Sequence, residues 1–207
     1  MAIIILPDYT ESMEKENNTR ASKLTILLGF NGTGKTTLLA DVLERSGQKT
    51  LVITPDDIEW QDYEAVELTR PDDFIYTGVR RHIFNPGSKG KNKKDGTLDR
   101  LEFFKKGSIV FDDCRAYLGS ATDDRIRQLI IRRRQRMVDV FAVGHGFNEV
   151  PPVFFTFATT IILFRTVDNI TRRKNCLKDY DKMAEAQKRV NKKAETDPHY
   201  FEVIKFD

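Results

Sequence analysis

Short apolar runs alternate with amphipathic stretches along most of this chain. Lys23-Leu24-Thr25-Ile26-Leu27-Leu28 is almost continuously apolar, which predicts a strand buried on both faces. Lys35 to Glu44 carries Leu38, Leu39, Val42 and Leu43 at helical spacing, and Gly47 in Ser46-Gly47-Gln48 is placed to cap the helix end. Thr50-Leu51-Val52-Ile53-Thr54 predicts a second strand, ended by Pro55-Asp56-Asp57. This strand–helix–strand order predicts an α/β fold on a mainly parallel sheet.

The same reading extends along the chain. Ala2 to Leu6 predicts an edge strand and Pro7 to Ser22 a polar connection. Asp62 to Leu68 is expected as a short helix, and Asp72 to Tyr76 as a small added strand. Asn85 to Gly96, rich in Lys and Gly, reads as an exposed, mobile loop, and Leu98 to Phe104 as a helical turn or two. Gly107 to Asp113 is a hydrophobic strand ending in acids. A helix follows over Asp123 to Met137, with Thr122 as its expected N-cap. Val138 to His145 and Thr159 to Phe164 are further core strands. Arg172 to Glu195 predicts a long charged helix with a thin apolar stripe, and Tyr200 to Phe206 a terminal strand. The expectation is one domain over 1–207, with its core at about 23–168 and an added helix and strand over 170–207.

Composition narrows this picture slightly. A chain of 207 residues fits one domain, and a hydrophobic content of 40% excludes a disordered chain. The net charge of +3 does not by itself name an anionic partner. Cys114 and Cys176 lack metal-ligand spacing and read as thiols in a reducing cytoplasm. The start of the chain lacks the basic residues of a signal peptide. The most apolar run, Val150 to Phe164, falls short of the roughly 20 residues of a bilayer span and reads as a buried strand with its lead-in. No membrane span is expected.

Gly29-Phe30-Asn31-Gly32-Thr33-Gly34-Lys35-Thr36-Thr37 carries the chemistry. It matches G-x-x-x-x-G-K-[ST], lying between a strand and a helix as that phosphate-binding pattern requires. Gly29, Gly32 and Gly34 allow open turn geometry, so that backbone N–H groups, including those of Asn31 and Thr33, converge with the helix dipole on one anion site. Lys35 supplies a charge for β/γ-phosphate oxygens. The Thr36 hydroxyl, followed by Thr37, can ligate Mg²⁺. ATP and Mg²⁺ are the expected cofactors. Asp112 and Asp113, at the end of the Gly107 strand, divide into a metal-holding and a water-activating carboxylate respectively. His145, ending the next core strand, is either a γ-phosphate sensor or a surface histidine.

Arg125, Arg127, Arg132, Arg133, Arg134 and Arg136 share one helix. An arginine such as Arg134 or Arg136 could stabilise phosphoryl-transfer charge in cis or from a neighbouring subunit, or the group could contact DNA phosphates. Lys89, Lys91, Lys93 and Lys94 offer a second nucleic-acid contact or a merely solvated loop. Asn92-Lys93-Lys94-Asp95 matches a guanine-specificity pattern but precedes the acidic strand, where such a motif does not belong.

These residues, over roughly 23 to 168, resemble the HerA/FtsK superfamily of P-loop ATPases. GFNGTGKTT, IVFDD, the arginine-rich helix and the polar strand end are most similar to viral genome-packaging ATPases and to the zonula occludens toxin-like assembly proteins of filamentous phages. The resemblance implies a three-layer fold with strand order 5-1-4-3-2 plus edge strands. It also implies a homo-oligomeric ring, a hexamer or a pentamer, with shared active sites, and DNA or an extruded filament as the object moved. An ATP-hydrolysing subunit that packages or translocates DNA is therefore the leading expectation, in a host cytoplasm or carried on a virion. The alternatives are phage export, a small nucleotide kinase, whose lid the basic loop would suit, and a non-catalytic nucleotide-binding module. The family usually has Asp-Glu where this chain has Asp112-Asp113, and Gln or Asn where it has His145.

Overall fold

A computed structural model describes residues 22–88, 95–118 and 123–206. The expected strand at Ala2 to Leu6, the Thr122 cap and the Lys89 to Lys94 stretch lie outside the described residues.

β1 (Leu24–Leu28), β2 (Thr50–Thr54), β3 (Val79–Ile83), β4 (Gly107–Phe111), β5 (Val138–Gly144), β6 (Thr160–Leu163) and β7 (Glu202–Lys205) form one sheet in the order β3-β2-β4-β5-β1-β6-β7. All neighbours are parallel except β6 and β7. Counting only the five core strands, this is the expected 5-1-4-3-2 arrangement, with β3 and β7 added at the two edges. Every residue of β1, β2 and β5 is buried, which accounts for their largely apolar sequences.

Helices cover both faces, giving three layers. Leu39 and Leu43 of α1 (Lys35–Ser46) pack with Leu27, Val52, Val110 and Trp60 on one face. On the other, β1 residues Leu24, Ile26 and Leu28 meet a larger core. That core is completed by the short α2 (Thr97–Arg100) and α3 (Cys114–Tyr117), by α4 (Asp124–Arg136), by α5 (Pro152–Phe157) and by α6 (Tyr180–Lys193). Gly47 caps α1 in the left-handed conformation, its N–H donating to Glu44 O at 3.1 Å. Both Cys114 and Cys176 are free thiols.

Three element assignments fail. Asp72 to Tyr76 is not a strand: Pro71–Phe74 is a 3₁₀ turn, pinned by the Asp73 carboxylate, which accepts from Thr69 N and Arg70 N. The added strand is β3, whose sequence Val-Arg-Arg-His-Ile hides it as a charged edge. Asp62 to Leu68 is not helical, because Ala65 bridges Arg81 of β3 and Val66 N donates to Arg81 O at 2.8 Å. The long charged helix is confined to α6. Asp179 caps it, and the Arg173 guanidinium ahead of it is drawn onto the carbonyls of Phe147, Asn148 and Val150. α4 is capped by Asp123, whose carboxylate accepts from Arg125 N. Finally, the lead-in to β6 is α5, begun by a proline at its first position. Among the described residues no helix is long and apolar enough to cross a membrane.

Candidate functional site

The C-terminal ends of β1, β2, β4 and β5 open into a cleft of about 370 Å³. Gly29 to Thr37 form its floor between β1 and α1. Gly34 (φ 91°) and Gly32 (φ 75°) occupy the left-handed region, which a side chain would strain. At Gly29 the reason for glycine is proximity: a Cβ there would stand 2.4 Å from the Cβ of Phe164. Phe164 N donates to Leu28 O at 2.7 Å and Phe30 N to Arg165 O at 3.0 Å, so the exit of β6 is tied against the loop.

The Lys35 ammonium is buried and donates to Phe30 O at 2.8 Å, an acceptor that Thr33 Oγ1 shares at 2.8 Å. Burial lowers its pKa, opposed by the charges of Glu59, Asp112, Asp113 and Glu149. Thr36 Oγ1 donates to Glu59 Oε2 at 3.1 Å. Across the cleft, Asp112 is 4% exposed and its Oδ2 accepts from Trp60 Nε1 at 2.7 Å. Burial raises the Asp112 carboxyl to about 6, with Glu59 and Asp113 pushing the same way and the indole N–H opposing.

Asp113 has φ 45°, in the left-handed region, at the start of α3. Asp is among the residues that tolerate this conformation, which accounts for the shorter acid here. His145 Nε2 lies 3.7 Å from Asp113 Oδ1, beyond hydrogen-bonding reach, and neither Asp113 Oδ1 nor His145 Nδ1 has a hydrogen-bond partner despite being buried. Two orphaned polar atoms beside a cleft mark where a water or ligand atom would be bound. His145 N donates to Glu149 Oε2 at 2.9 Å, and Arg115 Nη1 holds the other oxygen of that carboxylate at 2.8 Å.

The structure thus brings Gly29, Asn31, Gly32, Thr33, Gly34, Lys35, Thr36, Thr37, Asp112, Asp113 and His145 to one place. It does not bring Arg134 or Arg136 there. The last turn of α4 meets the opposite, N-terminal end of the strands, where Lys106 N donates to Arg136 O and Gly107 N to Met137 O. That end is roughly 16 Å of strand from the cleft. Glu59, Trp60 and Glu149 escaped the sequence reading. The signal available was position: Glu59 and Trp60 follow β2 closely, at the end of a parallel strand where ligands bind.

Among the described residues no cluster of three His, Cys, Asp or Glu side chains forms a ready-made metal site. The donor set suits Mg²⁺ nonetheless, because that ion binds through one or two carboxylates plus substrate phosphates and water. Thr36 and Asp112 both line the cleft, with Glu59 beside them.

The buried Asp112 carboxyl has a consequence for stability. The unfolded chain gives up this proton near 3.8 and the metal-free fold near 6. The folded state therefore holds more protons over that interval, and this group's contribution to stability is lost as pH rises through it. Asp112→Asn should stabilise the metal-free protein by about 3 kcal/mol at pH 7 and by only about 0.5 kcal/mol at pH 4. Urea unfolding in chelator at the two pH values checks this.

No protein-family model matches the chain, and no curated protein does. Solved structures do. The genome-packaging NTPase B204 of Sulfolobus turreted icosahedral virus 2, in complex with AMP, superposes with a TM-score of 0.64 at 13% identity, over 89% of this chain and 92% of that one. The fold is that of a P-loop NTPase. B204 from Sulfolobus turreted icosahedral virus, described as a DNA-packaging ATPase, gives a TM-score of 0.58 at 11% identity, over 88% and 97% of the two chains. The N-terminal domain of zonular occludens toxin from Neisseria meningitidis, at 0.48 and 14% identity, is too distant to carry an argument.

Proposed function

We propose that this chain is an ATP-hydrolysing motor subunit that moves DNA, as in viral genome packaging. One observation carries the reading: Lys35, Thr36, Asp112 and Asp113 converge on one cleft in a fold that B204 shares over nine-tenths of both chains. The B204 structures include complexes with AMP, AMPPCP and ATPγS, which supports a nucleotide as the ligand here.

In this reading the backbone N–H groups of Asn31 to Thr36 cradle the phosphates, and Lys35 leaves Phe30 O for the β/γ oxygens. Thr36 and Asp112 would hold Mg²⁺, which would neutralise phosphate charge. Asp113 orients the attacking water and takes its proton, and His145 donates to the γ-phosphate from the tip of β5. Because the cleft's described lining contains no arginine, Arg134 or Arg136 would act across a subunit interface of a homo-oligomeric ring. Location in a host cytoplasm or on a virion follows from the same reading.

Phosphate release, measured with and without double- and single-stranded DNA at two salt concentrations, tests the proposal. The expected result is ATP turnover that DNA stimulates, with a stimulation that falls as salt rises. Turnover indifferent to every DNA removes the motor reading, and phosphate transferred to a nucleotide acceptor replaces it with a kinase.

A further inference from the structure

We infer that the turn after β2 orients both metal-holding side chains, Glu59 acting on Thr36 and Trp60 acting on Asp112. The inference rests on the nucleotide reading above and adds positioning residues to it.

A serine or threonine hydroxyl has one proton and two lone pairs. To present lone pairs to a cation it must donate its proton elsewhere. Thr36 Oγ1 donates to Glu59 Oε2 at 3.1 Å, and this spends the proton on a carboxylate and leaves the lone pairs for a cation. A carboxylate faces the converse problem, since either oxygen can turn to the metal. Trp60 Nε1 donates to Asp112 Oδ2 at 2.7 Å, which holds that oxygen and sets the way the carboxylate faces. Adjacent residues thus orient the two metal-holding side chains by opposite means, one accepting and the other donating.

The turn is built to hold this arrangement. Trp60 is 1% exposed and packs with Leu39 and Leu43 of α1, and its ring meets Tyr63 at 5.5 Å. Tyr63 Oη in turn donates to Glu44 of α1 at 2.6 Å. Ile58 N donates to Asp56 Oδ1 at 3.0 Å, which shapes the approach to Glu59. Trp60 is therefore an anchor, and Glu59, on the solvent side of it, is carried to Thr36. Groups that orient metal ligands in this way are typically worth about 10–100-fold in metal affinity.

The test measures binding of the non-hydrolysable analogue AMPPCP by calorimetry across a Mg²⁺ titration, and again in chelator. In Glu59→Ala, the Mg²⁺ concentration for half-maximal enhancement of binding should rise by about 10–100-fold, while metal-free binding of AMPPCP is unchanged. Glu59→Gln keeps an oxygen acceptor for the Thr36 hydroxyl and should remain near the parental midpoint. Trp60→Phe keeps the ring but loses the N–H, and should shift the midpoint in the same direction as Glu59→Ala. Trp60 is the chain's one tryptophan, so its emission in the parent should change as Mg²⁺ and AMPPCP are added together. Glu59 is exposed, so its variants are expected to fold, which circular dichroism verifies.

A parental Mg²⁺ midpoint in folded Glu59→Ala overturns the inference and leaves the nucleotide reading standing. So does equal weakening of metal-free and metal-loaded binding, which would place Glu59 on the nucleotide itself. Glu59→Gln behaving like Glu59→Ala overturns the orienting role in favour of bare charge. A parent that binds no AMPPCP at any Mg²⁺ concentration overturns the nucleotide reading, and this inference with it.

Discussion

Lys35→Ala lowers ATP turnover by roughly 10³-fold or more and weakens nucleotide binding, the scale seen when one fixed group facing developing charge is removed. The side chain is buried at the start of α1, and its ammonium already points into the cleft, resting on Phe30 O. Four carboxylates act on it, and no second cation lines the described cleft. Removing it costs the phosphates their counter-charge. It also leaves Glu59, Asp112 and Asp113 facing one another, so the Asp112 carboxyl should hold its proton to a higher pH than in the parent. Single-turnover hydrolysis and equilibrium binding of AMPPCP separate the two effects. Near-parental turnover in the folded variant would remove Lys35, and the P-loop assignment with it.

Asp113→Asn should bind AMPPCP and Mg²⁺ as the parent does and hydrolyse ATP about 10²–10⁴-fold more slowly, the usual worth of a group that takes or steers a proton. Asparagine tolerates the left-handed backbone at this position, so the loss would be chemical rather than conformational. Asp113→Ala is the poorer experiment, since it adds roughly 1–2 kcal/mol of backbone strain to the chemical change. A pH profile completes the test: the base-dependent limb of the parent's rate should vanish in the asparagine variant. If it persists, the proton goes elsewhere, and Asp56 and Glu59 are the other carboxylates that line the described cleft.

The parts legible from sequence are those whose chemistry is local. Gly29 to Thr37 read directly, because each residue's role depends on its immediate neighbours in the chain. Asp112 and Asp113 read almost as well, because two adjacent acids closing an apolar strand suit a cation site at the strand's end. The strand order came through the resemblance to a known superfamily. Glu59 and Trp60 were not legible: their partners lie 23 and 52 residues away, and nothing in Asp-Asp-Ile-Glu-Trp states which acid turns inward. β3 was missed because an edge strand can carry Arg80 and Arg81 in positions that a central strand would fill with valine. The long helix was over-extended because charge pattern supports helix through Arg173, whereas Arg173 is committed to the loop after β5. The assignment of Arg134 and Arg136 turned on which end of the sheet α4 approaches last, a matter of direction that helical periodicity does not encode.

The central place of β1 bears on how the molecule is made. Its ladder partners are β5 and β6, and the contacts that fasten its start join residues 116 and 135 positions apart. A ribosome therefore releases the phosphate loop long before the two strands that brace it, and β1 waits as an unpaired, largely apolar segment while most of the chain emerges. High contact order of this kind slows folding and exposes the segment to aggregation in the meantime. Nucleotide binding should accordingly be among the last properties a nascent chain acquires, appearing only once β6 has closed against Gly29.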